Sequence, residues 1–219
     1  MLYIFDWDGT LSNSLERIVM SMERAFIDAN LSVPDVGARK SMIGLGLTEA
    51  FAALLPNDDE DLVQSLCGYY RDHYLALDGE IPSPLFDGTM EVLHTLKQRG
   101  HQLAVATGKR RRGLDRILSH MDLEDFFDSS RCADETRSKP HPQMLEEILI
   151  ETSVPASNAL MIGDTDFDIL MAKSAGMRAI AVSYGAHSLE RLSRSKPDKM
   201  INQLTELLEP ELLACTSSE

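Results

Sequence analysis

The chain opens on an unbroken apolar run, Met1-Leu2-Tyr3-Ile4-Phe5, that stops at two carboxylates one residue apart, Asp6 and Asp8, followed by Gly9-Thr10-Leu11. A run apolar at every position predicts a strand buried on both faces, as in a parallel sheet. Ser12-Asn13-Ser14 is a polar joint able to cap a helix. From Leu15 to about Ala29, the apolar positions Leu15, Ile18, Val19, Met22, Ala25 and Phe26 fall at helical spacing. Helical patterning continues through Leu47–Leu55 and Asp61–Leu77, broken at Pro34 and at Gly44-Leu45-Gly46, with no strand pattern among them. Gly79 to Pro84, with two prolines, reads as a linker. Residues ~15–82 are therefore expected to be an all-helical insert, close to the size floor of a domain, between the two parts of a core formed by 1–14 and 83–219.

Past the linker, strand and helix patterns alternate. Thr89–Arg99 predicts a helix stopped by Gly100, then a strand at Gln102–Ala106, a helix at about Arg111–His120 and a short strand at Phe126–Ser130. A helix at Gln143–Thr152, a strand at Ala159–Ile162, a helix to Ala175, a strand at Ala179–Ser183 and a final helix near Ile201–Leu208 complete the pattern. Such alternation predicts an α/β, Rossmann-like parallel sheet with helices on both faces, carrying the small helical insert.

Composition narrows the function classes. The 219 residues, 43% hydrophobic and 26% charged, are enough for one domain with an insert. A net charge of -14 argues against nucleic acid or an anionic membrane as the main partner. No window offers the ~20 apolar residues of a membrane span, and Asp6 and Asp8 stand where a signal peptide needs a basic flank and an apolar centre. Cys67, Cys132 and Cys215 are widely spaced and match no metal-ligand pattern. They read as free thiols of a cytoplasmic protein, expected as a monomer or homodimer.

Ligands of open α/β sheets bind beyond the carboxyl ends of the strands, and three predicted strand ends carry polar groups. They are Asp6/Asp8, Thr107-Gly108 and Asp164/Asp168, with Lys139 in a loop between the last two. Asp6 and Asp8 alone allow two readings, a site for a hard cation such as magnesium or an acid/base pair. Asp164 to Asp168 does not start a calcium-binding EF-hand loop, because its sixth and twelfth positions are Ile169 and Ala175 instead of Gly and Glu.

Asp6-Trp7-Asp8-Gly9-Thr10-Leu11, Ala106-Thr107-Gly108, Ser138-Lys139-Pro140 and Gly163-Asp164 through Asp168 resemble, in this order, the four motifs of the haloacid dehalogenase superfamily. The insert after the first motif resembles the small cap of its phosphoglycolate phosphatase-like branch. The chain departs from that pattern at Asn13, where relatives commonly carry an acid. The resemblance implies a phosphatase that hydrolyses small phosphomonoesters through an aspartyl-phosphate. It implies Asp6 as nucleophile and Asp8 as general acid and base. Thr107, Gly108 and Lys139 would hold the phosphate, and Asp6, Asp8, Asp164 and Asp168 would hold Mg2+. The dehalogenases lack the second aspartate, so Asp8 favours phosphate chemistry.

Selectivity then falls to the cap, with Arg39, Gly44 and Gly46 in a loop expected to dip into the site. Arg110, within the basic run Lys109 to Arg112, is a candidate for attracting an anionic substrate, since cations at a helix start oppose its dipole. The expected partner is a small phosphorylated metabolite, phosphoglycolate first. A sugar phosphomutase of the beta-phosphoglucomutase kind, a pyrophosphatase and a non-catalytic metabolite-binding protein are the alternatives.

Overall fold

The computed structural model describes residues 1–57 and 59–209; Cys215 lies outside them. Six strands form one all-parallel sheet: β1 (Leu2–Phe5), β2 (Gln102–Thr107), β3 (Ser129–Cys132), β4 (Ala159–Gly163), β5 (Arg178–Val182) and β6 (Lys199–Ile201), in the order β3-β2-β1-β4-β5-β6. The described helices are α1 (Leu15–Asp28), α2 (Val36–Lys40), α3 (Leu47–Leu54), α4 (Glu60–Ala76), α5 (Thr89–Gln98), α6 (Arg111–His120), α7 (Gln143–Thr152), α8 (Asp166–Ser174) and α9 (Leu189–Ser195).

The uniformly apolar β1 takes the centre because both of its faces are covered. Leu2 and Ile4 join a cluster with Met144, Leu145 and Ile148 of α7 and Ile169 of α8. Tyr3 and Phe5 face the opposite way, into a cluster with Val92 and Leu96 of α5 and Leu114 of α6. Burial of such side chains contributes about 1.5–3 kcal/mol each.

Register sets where the polar groups emerge. Leu2–Phe5 pairs residue for residue with Gln102–Val105 on one side and Ala159–Ile162 on the other. Asp6, Thr107 and Asp164 thus leave the sheet at one edge, within a residue of the same level. The chain winds outward from β1 in both directions, so this edge is the topological switch point, where α/β sheets form ligand crevices.

Between β1 and α5, helices α1–α4 gather their own apolar cluster, including Met22, Phe26, Phe51 and Leu66. The two connections to the sheet run side by side, with Ser12 bridging to Leu85 and the Asn13 N–H donating to the Pro84 carbonyl at 2.8 Å.

Three expectations need correction. The apolar spacing at Ile201–Leu208 imitates a helix, but Lys199–Ile201 adds β6 to the sheet edge and Leu204–Leu208 is a short 3-10 turn. The strand expected at Phe126–Ser130 lies further on, at Ser129–Cys132, because Phe126 and Phe127 turn inward as an aromatic pair, Phe127 meeting Trp7 edge-on. Helix α9 was not anticipated: its buried apolar contact is Leu192, and Ser188 caps it by accepting the Arg191 N–H at 3.3 Å.

Candidate active site

Beyond the ends of β1 and β4, four charged side chains meet out of contact with bulk solvent. Asp6, Lys139, Asp164 and Asp168 are all buried. The Lys139 Nζ stands 2.8 Å from Asp6 Oδ1 and donates to Asp168 Oδ1 at 2.7 Å. The other Asp168 oxygen accepts the Thr165 hydroxyl at 2.7 Å and the Thr165 N–H at 3.1 Å, closing a reciprocal cap at the start of α8. Asp164 accepts the Thr10 hydroxyl at 3.0 Å and the Ala186 N–H at 2.7 Å. Gly9 (φ +83°) and Gly185 leave it room, since a Cβ on either would fall within 2.3 Å of the Asp164 side chain.

These carboxylates strain each other's ionisation. Burial pushes the Asp6 carboxyl up to about 7; Lys139 opposes the rise, while Asp168 and Asp8 add to it. Burial, then Asp6 and Asp168, likewise raise Asp164. One lysine therefore does not balance the cluster. Asp6, Asp164 and Asp168 offer oxygens within 4.8 Å of one another. Apart from the lysine ion pair, neither Asp6 oxygen accepts a hydrogen bond among the described residues, which is costly for a buried carboxylate. Orphaned hard oxygens beside a second carboxylate fit a divalent cation such as magnesium.

Asp8 has its own lysine. Its Oδ1 lies 2.8 Å from Lys109 Nζ and accepts the hydroxyl of Ser14. Ser14 does stand at the start of α1, but its hydroxyl turns to Asp8 instead of capping the helix. Lys109 also donates to the Tyr74 hydroxyl of α4 at 3.2 Å. Burial pulls the Lys109 ammonium down, but Asp8 and Tyr74 outweigh it and its pKa is raised. The Thr107 hydroxyl, buried at the end of β2, accepts the Lys109 N–H at 3.2 Å and makes no other hydrogen bond among the described residues.

Asp6, Asp8, Gly44, Gly108 and Arg110 open onto a cavity of about 630 Å³ between the sheet edge and the α1–α4 cluster. Its wall is closed by the turn before α3, whose Gly44 and Leu45 carbonyl oxygens would lie 2.9 and 2.6 Å from a Cβ on Gly108. The Gly46 N–H in that turn donates to Ser138 Oγ at 2.7 Å. The turn therefore does reach the site, but Arg39 does not. That guanidinium is buried inside the helical cluster, on the carbonyls of Val19 (2.7 Å) and Pro34 (3.0 Å) and on Glu23 (2.8 Å). Three local acceptors hold it there.

A family model described as haloacid dehalogenase-like hydrolase matches residues 3–182. The chain belongs to the haloacid dehalogenase-like hydrolases. It is 34% identical over 213 residues to a probable phosphatase, IndB, of Dickeya dadantii, covering 94% of this chain and 91% of that one. It is 30% identical over 210 residues to a pyrophosphatase, PpaX, of Halalkalibacterium halodurans, covering 94% of each. Among solved structures, a predicted phosphatase from Clostridium acetobutylicum superposes with a TM-score of 0.85 at 28% identity, over 97% of this chain and 98% of that one. A predicted phosphoglycolate phosphatase from Haemophilus somnus gives 0.77 at 27% identity, over 94% and 96%.

In this hydrolase the basic run after Gly108 divides its work. Arg111 turns away from the cavity, making two contacts of 2.9 Å with Glu135 and one of 2.9 Å with Ser130 Oγ. The Asp134 carboxylate accepts the Arg111 N–H at 2.8 Å and the Arg110 Nε at 3.2 Å, supplying negative charge at the start of α6. The Arg111 hydrogen bonds hold the Glu135 carboxyl below its usual range. A carboxyl depressed in the folded state stabilises above its unfolded value and loses that contribution as pH falls through the depressed one. Glu135→Gln should therefore cost at most about 1 kcal/mol at pH 7, as the pair is part-exposed, and progressively less as pH falls below the ordinary carboxylate range, read from denaturant midpoints.

Thr10, Ser14, Tyr74 and Gly185 complete the arrangement without having been singled out in the sequence. Thr10 and Gly185 follow strand ends and were open to inspection; Tyr74 lies 35 residues from its lysine partner, and no local pattern announces it.

Proposed function

We propose that this chain is a magnesium-dependent phosphatase of the phosphoglycolate phosphatase-like kind, acting on small phosphomonoesters through an aspartyl-phosphate. The observation that carries the reading is Asp6: a buried carboxylate at the switch point, held by Lys139 through one oxygen, with its other oxygen lacking a partner among the described residues and an opening to the cavity. Asp6 and Asp164 would hold the ion, joined by the Asp8 backbone carbonyl. Asp168, whose oxygens already serve Lys139 and Thr165, would act chiefly by positioning that lysine. Bound there, magnesium would neutralise charge on the phosphoryl oxygens.

The residues of the chain would then divide the reaction. An Asp6 oxygen attacks phosphorus, the ester P–O bond breaks, and Asp8 gives its proton to the departing oxygen, releasing the alcohol. Asp8 next takes a proton from water, whose oxygen attacks the same phosphorus. Phosphate leaves and the Asp6 carboxylate returns. Lys109 and Ser14 keep Asp8 turned to this task; Lys139, the Thr107 hydroxyl and the Gly108 N–H carry the phosphoryl charge. Helices α1–α4 would act as a cap that closes over the crevice and keeps bulk water out.

The test is phosphate release from phosphoglycolate, sugar phosphates, nucleoside monophosphates and pyrophosphate. Turnover should vanish with a chelator and return with magnesium. Pyrophosphate belongs in the panel because the relatives named PpaX are pyrophosphatases. A requirement for a sugar bisphosphate would turn the reading to a mutase, and no release from any ester would withdraw it.

A further inference from the structure

We propose that the substrate is a phosphomonoester whose leaving group is an apolar body ending in a second anion, and that Arg112 and Arg116 bind that anion at the cavity mouth. The proposal rests on the phosphatase reading and names the class of ester it acts on.

The lining of the cavity runs from buried to exposed side chains. Asp6, Asp8 and Gly108 mark the inner end, where the scissile phosphate would sit. Buried apolar side chains, Ile18, Met22 and Ile43, and the ring of Tyr70 also line the cavity. The exposed part of the lining carries Arg71 from α4, Arg110 just before α6, and Arg112 and Arg116 from α6, against Asp72 and Asp134. At about 630 Å³ it is sized for a ligand well beyond a two-carbon acid phosphate, since pockets of roughly 300–1,000 Å³ enclose drug-sized molecules.

The arginines of α6 sharpen the assignment. Asp134 is already engaged by Arg110 and the Arg111 N–H. Arg111 is paired with Glu135, and Arg131 nearby with Glu147 and Glu151. Arg112 and Arg116, exposed, form no ion pair or hydrogen bond among the described residues. They lie four apart on one helical face, about one turn of 5.4 Å, where like charges repel, and Arg112 stands in the first turn, where the helix dipole opposes a cation. With 35 acidic residues against 21 basic, the chain has carboxylates to spare for neutralising them. A ligand anion would supply the missing partner, and the planar guanidinium suits a carboxylate or phosphate held through two hydrogen bonds.

Binding is best read in Asp6→Asn with magnesium present, comparing phenyl phosphate with 4-carboxyphenyl phosphate by calorimetry. The two share the phosphate and the ring, and differ by one distal carboxylate. The carboxylated ester should bind at least tenfold tighter, and Arg112→Gln with Arg116→Gln should bring the ratio of the two Kd values close to one. A ratio near one before those substitutions, a ratio that survives them, or no binding of either ester would overturn the proposal. Failure of the phosphatase reading is separate: the unaltered chain would release no phosphate from either ester, while the ratio of affinities would still be measurable.

Discussion

Asp6→Asn should abolish phosphate release, lowering kcat by about 10⁴-fold or more, while leaving the fold intact. The amide is nearly the shape of the carboxylate but is a far poorer nucleophile, so the loss falls on the step that forms the aspartyl-phosphate. The neighbours argue that stability will not suffer. Burial has already pushed the Asp6 carboxyl up to about 7, so the folded protein resists its charge, and Lys139 keeps Asp168 as a partner at 2.7 Å when the charge is gone. The metal-free melting temperature at pH 8 should therefore hold or rise, because the substitution removes one of three crowded carboxylates from the cluster. A fall of more than a few degrees, or residual turnover above one hundredth of the original, would mean that Asp6 serves the fold or that another group attacks phosphorus.

That cluster was the most legible part of the chain. Asp6, Thr107 and Asp164 each end a strand whose apolar run is unmistakable, and parallel pairing of those strands leaves little freedom in where the next residue emerges. What escaped reading depends on contacts far apart in sequence. Lys109 stood out only as the first cation of a basic run, yet it is the partner of Asp8, a fact fixed by the path of β2 beside β1. Arg39 was expected in a loop dipping into the site, but the fold surrounds it with carbonyls and Glu23. At the carboxyl-terminal edge, Ile201, Leu204 and Leu207 carry a helical period, and pairing of Ile201 with Val182 overrides it. Period alone cannot separate three residues of strand and a short turn from a helix when both bury the same side chains.

Lys139→Met tests whether charge balance or packing gives the site its stability. The side chain is fully enclosed, with its ammonium 2.8 Å from Asp6 and 2.7 Å from Asp168. Methionine fills similar space and removes only the cation, leaving the carboxylates of Asp6, Asp164 and Asp168 crowded together without it. Stranding buried charge in this way costs about 3–5 kcal/mol, which for a chain of this length lowers Tm by roughly 6–20 °C. The pH dependence fixes the cause. Burial already raises the Asp6 carboxyl, and Lys139 is the main influence holding it down, so the variant should raise it further. A carboxyl raised in the folded state loses stability as pH climbs from its unfolded value near 4 to its folded one. At pH 5 Asp6 is protonated in both folded proteins, so its share of the deficit should be small there, and it should grow as pH rises past about 7 toward pH 8. Millimolar magnesium should recover part of it, because a cation that binds only the folded chain stabilises by mass action. Activity should still fall by about 10³-fold, since the lysine also faces charge developing on the transferred phosphoryl group. A Tm deficit equal at pH 5 and pH 8 would assign Lys139 to packing, and the electrostatic account of the site would have to be abandoned.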